Sequence, residues 1–146
     1  ILRRITMKKA LVVYNSKNGA TKNYGEEITE FLIKKEFDAK AISINECRAE
    51  DIENADYVFF GCWTSGLFLF KQKPEQIWVE FAKKIPPLKG KKIGLFTTYK
   101  IATGSMFKKM RKYLQVEEDA KFLELKSKDG HLPISSRLLI NDFVKA

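Results

Sequence analysis

A short segment near the start of the chain has the residue types that bind a phosphate group. Residues 15–21 carry hydroxyls at Ser16 and Thr21, an amide at Asn18, and Gly19, which lets the backbone approach a ligand closely. Backbone N–H groups at the start of a helix, together with such side chains, bind an anion without any arginine. A plain strand-to-helix turn with Thr21 as the N-cap would use the same residues. The segment alone leaves both interpretations open.

The sequence lacks the residues that several other kinds of functional site require. The sequence contains neither the G-x-x-x-x-G-K-[ST] pattern of a P-loop nor the G-x-G-x-x-G pattern of a dinucleotide site. A phosphoacceptor domain needs acidic residues where 14–15 and 61–62 stand. Two cysteines, Cys47 and Cys62, and the single histidine, His131, are too few for a zinc site or a disulfide framework. We therefore predict no catalytic residue and no metal ligand.

The elements that must position the phosphate-binding segment alternate regularly between strand and helix. Short apolar runs rich in β-branched and aromatic residues predict strands buried on both faces, as in a parallel sheet. One run, at 39–44, alternates in the manner of an edge strand. The five predicted strands cover residues 10–14, 39–44, 56–61, 92–96 and 121–125.

Apolar residues at helical spacing predict a helix after four of these strands. We expect Pro74 to open the second of these helices and the proline pair at 86–87 to end it. The apolar residues that mark the four helices are Ile28, Phe31 and Leu32; Ile77, Trp78, Phe81, Ala82 and Ile85; Met106, Phe107, Met110 and Leu114; and Leu138, Leu139, Ile140 and Phe143. This alternation implies a parallel sheet with helices on both faces, because each right-handed crossover carries a helix.

The predicted fold indicates where a ligand would bind. Ligands of an open α/β sheet bind at the carboxyl ends of its strands, where the strand order reverses. The loops after the first, third and fourth strands are thus the expected site. The chain has 146 residues, so one domain is expected over 7–146, since domains cluster at about 100–150 residues. Residues 1–6 precede a natural-looking start at Met7 and are expected to be a leader or residues added for expression.

Charge is the strongest compositional signal. The net charge is +9, but only five of the 27 basic residues are arginines, and the lysines lie mostly on predicted helix faces. Since no nucleic-acid-binding motif accompanies them, we interpret them as solvated surface charge. The longest apolar run, 66–70, is far shorter than the about 20 residues of a membrane span, and no signal peptide is evident. The two cysteines favour a reducing setting, so we expect a cytoplasmic protein.

The phosphate-binding segment resembles a signature of the flavodoxin family. An aliphatic-aromatic run at 12–14 precedes Ser16, Gly19 and Thr21 at the spacing of the family's phosphate loop. The chain departs from the family pattern at Lys17, Asn18 and Gly25. None of these changes removes the cradle, and Lys17 adds positive charge toward a phosphate.

A second segment resembles the part of the family that borders the flavin ring. Residues 61–66, G-C-W-T-S-G, match the family's G-C-x-T-x-G pattern. In familiar members the stacking tryptophan stands at the position of Ser65, whereas here Trp63 lies two positions earlier. Gly66 is the residue whose peptide is expected to flip on reduction, since glycine allows both signs of φ. After the flip, a backbone carbonyl there would accept a hydrogen bond from N5–H of the flavin semiquinone.

The resemblance implies a flavodoxin-like three-layer α/β sandwich with strand order 2-1-3-4-5 that binds flavin mononucleotide (FMN) noncovalently. A third segment, 97–100, is expected to contact the ring, with Tyr99 the best candidate for stacking on its outer face. The implied FMN-binding residues are Ser16, Lys17, Asn18, Gly19, Ala20, Thr21, Cys62, Trp63, Thr64, Ser65, Gly66, Thr97, Thr98 and Tyr99.

The function implied by the resemblance is electron transfer, with FMN cycling through its semiquinone and hydroquinone states. The basic charge predicts a less negative hydroquinone couple than in acidic relatives, and redox partner proteins with an acidic docking face. Two alternatives stay open: an FMN-dependent oxidoreductase acting on a quinone or another small acceptor, and an interaction module without cofactor. Residues 67–70 are interpreted as a lid, a dimer contact, a quinone-binding surface or a loop packed into the core.

Overall fold

A five-stranded parallel sheet forms the middle layer of the computed structural model, which describes residues 7–65, 72–117 and 120–145. The strands lie in the order β2-β1-β3-β4-β5, and every neighbouring pair is parallel. This confirms the predicted fold class and strand order. The strands are β1 (Lys9–Asn15), β2 (Asp38–Ser43), β3 (Tyr57–Trp63), β4 (Lys92–Thr98) and β5 (Phe122–Ser127).

Helices cover both faces of the sheet. They are α1 (Ala20–Lys34), α2 (Ala49–Glu53), α3 (Gln76–Lys84), α4 (Met106–Tyr113) and α5 (Ile134–Lys145). One core contains buried residues of α1 and α5, and the other contains those of α2, α3 and α4. Among the described helices, none is long and apolar enough to cross a membrane.

The central strand β3 shows why the sequence gives a two-sided core. Val58 and Phe60 belong to the core on the α3 side, whereas Tyr57 and Phe59 belong to the core on the α1 side. Side chains of a strand alternate between faces, so an unbroken apolar run fills both layers. Strand β2, at the edge of the sheet, is half-buried at most, as its alternating sequence predicts.

Close packing between strands depends on glycine at one position below the site. A Cβ added at Gly61 would lie 2.0 Å from the ring of Phe96 on the neighbouring strand. Phe96 is fully buried and packs edge-to-face on Tyr24, with ring centroids 5.8 Å apart. The ring therefore occupies the space that any larger residue at position 61 would need.

Several predicted boundaries are wrong by a few residues. Residues 62–63 and 97–98 were expected in loops, but they continue β3 and β4. The first loop is also shorter than expected, because Asn15 ends β1 and Ala20 begins α1. Helix α3 begins at Gln76, two residues after Pro74. The five-residue helix α2 was not predicted, because only Ile52 of its residues is buried and the segment shows no apolar periodicity.

The buried faces of two helices differ from the sequence interpretation. Ile77 is 58% exposed, and Val79 is buried instead, so the apolar face of α3 is rotated from the expected one. In α5, Leu138 and Leu139 are exposed and Ile140 is buried. Both helices carry apolar residues around much of their circumference, so periodicity alone does not identify the packed face.

Candidate cofactor-binding site

A cleft of about 450 Å³ lies at the carboxyl ends of the central strands. Strands β1 and β3 are neighbours there although they are not consecutive, which is where the strand order reverses. The volume is within the about 300–1,000 Å³ of small-molecule sites. The lining residues are Lys17, Asn18, Ala20, Trp63, Thr64, Gln72, Thr98, Tyr99, Lys100, Ile101, Ala102 and Lys128.

The start of α1 offers backbone donors to this cleft. Gly19 occupies the N-cap position with φ +93°, and no side chain caps the helix. The first helical hydrogen bond runs from the Asn23 N–H to the Gly19 carbonyl at 2.9 Å. The N–H groups of residues 20–22 precede that bond and have no acceptor within the helix. Ser16 Oγ accepts from the Gly19 N–H at 3.0 Å and closes the loop on itself.

Threonine hydroxyls below the cleft connect the three loops. Thr21 Oγ1 lies 2.7 Å from Thr98 Oγ1, and both side chains are buried. Thr97 Oγ1 donates to the Cys62 carbonyl at 2.5 Å and lies 2.8 Å from Thr64 Oγ1. Thr21 is thus neither the N-cap of α1 nor a lining residue. These bonds fix the ends of β3 and β4 and the start of α1 relative to one another.

Two aromatic side chains line the cleft, one from the end of β3 and one from the loop after β4. Trp63, from the end of β3, is half-buried, and the Lys17 ammonium lies 4.7 Å from its ring centroid. Tyr99, just after β4, is also half-buried, and the ammonium groups of Lys126 and Lys128 each lie 5.9 Å from its ring centroid. The site therefore has two aromatic rings with cations beside both.

The charge of the lining is positive. Lys17, Lys100 and Lys128 line the cleft, and no carboxylate does so among the described residues. The sequence did not predict the lining residues at positions 72, 101, 102 and 128, and it predicted Lys100 only as part of the segment 97–100. Lys128 was detectable in principle, because it follows β5, whose carboxyl end lies on the same edge of the sheet. The segment at 72 reaches the cleft through tertiary packing, which no local sequence signal reveals.

Other predicted residues lie near the cleft without lining it. They are Ser16, Gly19, Thr21, Cys62, Ser65 and Thr97, and Gly66 is outside the described residues, as is the segment 67–70. Ser65 forms an antiparallel backbone bridge to Lys73. Cys62 belongs to the core on the α3 side, and burial raises the pKa of its thiol to about 12. A thiol with that pKa is protonated at neutral pH, so Cys62 is a packing residue.

Histidine, cysteine and carboxylate side chains do not assemble into a metal site within the described part of the chain, where no group of three or more is found. The site offers backbone N–H groups, hydroxyls, ammonium groups and aromatic rings instead. This donor set suits an anionic group attached to a flat, conjugated ring.

Comparison with known proteins agrees with this chemistry. The model of a family described as "Flavodoxin domain" matches residues 11–135. Flavodoxin from Megasphaera elsdenii is 30% identical over 95 residues, which span 64% of this chain and 66% of that protein, just under two thirds of its length.

Solved structures share the fold at lower identity. The solution structure of two-electron reduced Megasphaera elsdenii flavodoxin is 20% identical with a TM-score of 0.70, and the match covers 94% of this chain and 99% of that one. A flavodoxin from the domain Archaea is 22% identical with a TM-score of 0.66, covering 94% of this chain and 96% of that one. The family model spans most of the sequence, residues 11–135. The chain belongs to the flavodoxin family.

Proposed function

We propose that this chain binds FMN noncovalently in the cleft and carries electrons between partner proteins. The observation that supports this most directly is the convergence of an uncapped helix start and two aromatic side chains on one cleft. FMN binding and electron transfer are typical of the family to which the chain belongs.

The residues at the start of α1 fit the phosphate of FMN. The N–H groups of residues 20–22 have no helical acceptor and lie at the positive end of the helix dipole, which favours an anion. Lys17 and Asn18 line the same part of the cleft and add an ammonium group and an amide. We assign the phosphate to these groups, while Ser16 and Gly19 shape the loop that carries them.

The ends of β3 and β4 fit the flavin ring. Trp63, at the end of β3, and Tyr99, just after β4, line the cleft and present aromatic surface to a flat ligand. We assign the ring to the space they border, with Thr64 and Thr98 as nearby polar groups. The hydroxyl contacts among residues 21, 64, 97 and 98 hold these segments in place before any ligand enters.

FMN, when bound, supplies a redox centre that takes up and releases electrons singly or in pairs. The role of the chain is to hold it, to exclude water from part of it and to set the local charge. Lys17, Lys100 and Lys128 create a positive potential that favours the anionic, fully reduced flavin. The same lysines would attract an acidic face on a redox partner protein.

Stepwise reduction of the purified protein tests this proposal. We expect a yellow protein with one FMN per chain whose visible spectrum passes through a half-reduced form. Isolation without flavin, and no uptake of added FMN, would instead support an interaction module without cofactor. Direct oxidation of NAD(P)H with a quinone acceptor, without an added reductase, would support an oxidoreductase. A cytoplasmic location stays a prediction from the cysteine usage, and cell fractionation tests it.

A further inference from the structure

The loop between β5 and α5, residues 128–133, is bonded to α1 through the Glu27 carboxylate and the Asn23 amide. Glu27 Oε1 accepts from the Leu132 N–H at 3.0 Å, and Glu27 Oε2 lies 2.8 Å from His131 Nδ1. Asn23 Nδ2 donates to the Gly130 carbonyl at 2.8 Å and to Glu27 Oε2 at 2.6 Å. We call Asn23, Glu27, Gly130, His131 and Leu132 the α1 clasp. None of these residues lines the cleft.

The clasp lies directly behind the proposed phosphate cradle. Gly130 has φ +84°, and a Cβ added there would lie 2.5 Å from the backbone oxygen of Ala20. Ala20 is the first residue of α1 and lines the cleft. The loop is therefore in close contact with the backbone turn whose N–H groups have no acceptor within the helix.

The same loop also contacts the proposed ring end of the site. Ser127 Oγ donates to the His131 carbonyl at 2.8 Å and accepts from the Gly130 N–H at 3.1 Å. The Ser127 carbonyl accepts from the Tyr99 N–H at 3.2 Å. A shift of the loop would thus be transmitted both to the start of α1 and to the segment that carries Tyr99.

Within the α1 clasp, Glu27 and His131 each stabilise the charged form of the other. The hydrogen bond and the charge of Glu27, and then the charge of Asp129, raise the pKa of His131. Burial opposes ionisation of Glu27, but hydrogen bonds from Leu132, His131 and Asn23 outweigh it and lower the pKa of this carboxyl. Among the described residues, α1 contributes Glu27 and the loop contributes Asp129, and no group of α5 adds to the effect on His131. The imidazole is 69% exposed, so protons exchange freely.

We propose that Glu27 is a positioning residue for the phosphate cradle and that its ion pair with protonated His131 strengthens this positioning. FMN affinity therefore decreases as His131 loses its proton. This inference rests on the proposed FMN function and extends it to a residue outside the site. In its Nδ1–H tautomer, neutral His131 still donates a hydrogen bond to Glu27, so that only the charge is lost. The expected change in affinity is about threefold, the scale of an exposed ion pair.

The test compares the pH dependence of FMN binding, followed by quenching of flavin fluorescence, in full-length wild type, His131→Asn and Glu27→Gln. Between pH 6 and pH 8, the FMN affinity of the wild type should fall about threefold more than the FMN affinity of His131→Asn. The FMN phosphate itself titrates near pH 6, but it does so equally in all proteins. Glu27→Gln should bind FMN about fivefold more weakly than the wild type at pH 6. Between pH 6 and pH 8 its affinity should fall no more than that of His131→Asn. Glu30→Gln, an exposed change on the same helix, is the control and should behave as wild type.

A second measurement follows the titration of His131 itself. Since coupling between two binding events is reciprocal, FMN must raise the pKa of His131 in the wild-type protein, and Glu27→Gln must abolish most of that rise. The chain has one histidine, so its imidazole proton resonance is unique. Superimposable pH profiles for wild type and His131→Asn, or a His131 titration unchanged by FMN, would overturn this inference alone. Failure of the wild type to bind FMN at any pH would overturn the proposed function instead.

Discussion

Replacement of Gly19 by alanine tests whether the left-handed residue at the start of α1 shapes the phosphate cradle. Gly19 has φ +93°, and an added Cβ would meet nothing within 4 Å. The cost is therefore conformational, not steric. A residue with a Cβ in the left-handed conformation destabilises the folded state by about 1–2 kcal/mol. Alanine also makes the unfolded chain less flexible than glycine does, which offsets about 0.4–1 kcal/mol of that cost. Holding alanine in the left-handed form therefore costs a net of about 1 kcal/mol relative to wild type.

The same strain should appear in FMN binding. The residues at 17–19 are exposed, so the loop of the free protein can relax toward negative φ and turn its N–H groups away from the cleft. FMN must then restore the strained form, and about 1 kcal/mol corresponds to about fivefold weaker binding. Isothermal titration calorimetry gives the dissociation constant, and urea unfolding of the flavin-free protein gives the stability.

Gly90→Ala is the matched control. Gly90 also has positive φ, +79°, with nothing within 4 Å of an added Cβ, but it lies in the turn before β4 and does not line the cleft. Flavin-free Gly19→Ala should lose less than about 1 kcal/mol of stability, because its loop relaxes, and of the two variants only Gly19→Ala should lose FMN affinity. Equal FMN affinity for Gly19→Ala, Gly90→Ala and wild type would refute the reasoning.

Three further predictions concern the residues beneath and around the ring. Gly61→Ala forces a Cβ to 2.0 Å from the buried Phe96 ring, so urea unfolding should show a loss of about 2–3 kcal/mol; a wild-type midpoint would contradict that packing. Trp63→Ala should weaken FMN and riboflavin equally, by about fivefold in fluorescence titrations, because the lost stacking acts on the ring and not on the phosphate. Lys100→Gln with Lys128→Gln should make the potential of full reduction more negative in a redox titration, by on the order of 1 kcal/mol per charge; an unchanged potential would show that these lysines lie too far from the ring.

The sheet was predictable from the sequence because each of its strands has its own local pattern. The central parts of β1, β3 and β4, residues 10–14, 57–61 and 93–96, are continuous runs without a charged residue, and β2 alternates as an edge strand does. Helix orientation was harder, since Ile77 and Trp78 are adjacent apolar residues and only packing decides that Trp78 is buried. Helix α2 has five residues and one buried side chain, too little for any periodic signal.

The sequence predicted which segments form the site, but it did not predict all the contacts between their side chains. Lys17, Trp63 and Tyr99 were expected to bind FMN, and all three line the cleft. The hydroxyl of Thr21 was expected in the cradle, but its contact is with Thr98, which lies 77 positions away in the sequence. Such a pairing depends on how α1 meets β4, and no spacing within either segment encodes it.

The most direct test of FMN binding in this cleft is the change in backbone amide resonances as FMN is added. We expect shifts that reach their end point at one FMN per chain and that are largest at residues 17–22, 63–64 and 98–101. A second, smaller cleft lies near the amino ends of β1 and β2 and includes Lys40 and Asp51. The resonances of the amides around it should stay unchanged. An absence of shifts, or shifts centred on that second cleft, would contradict the account.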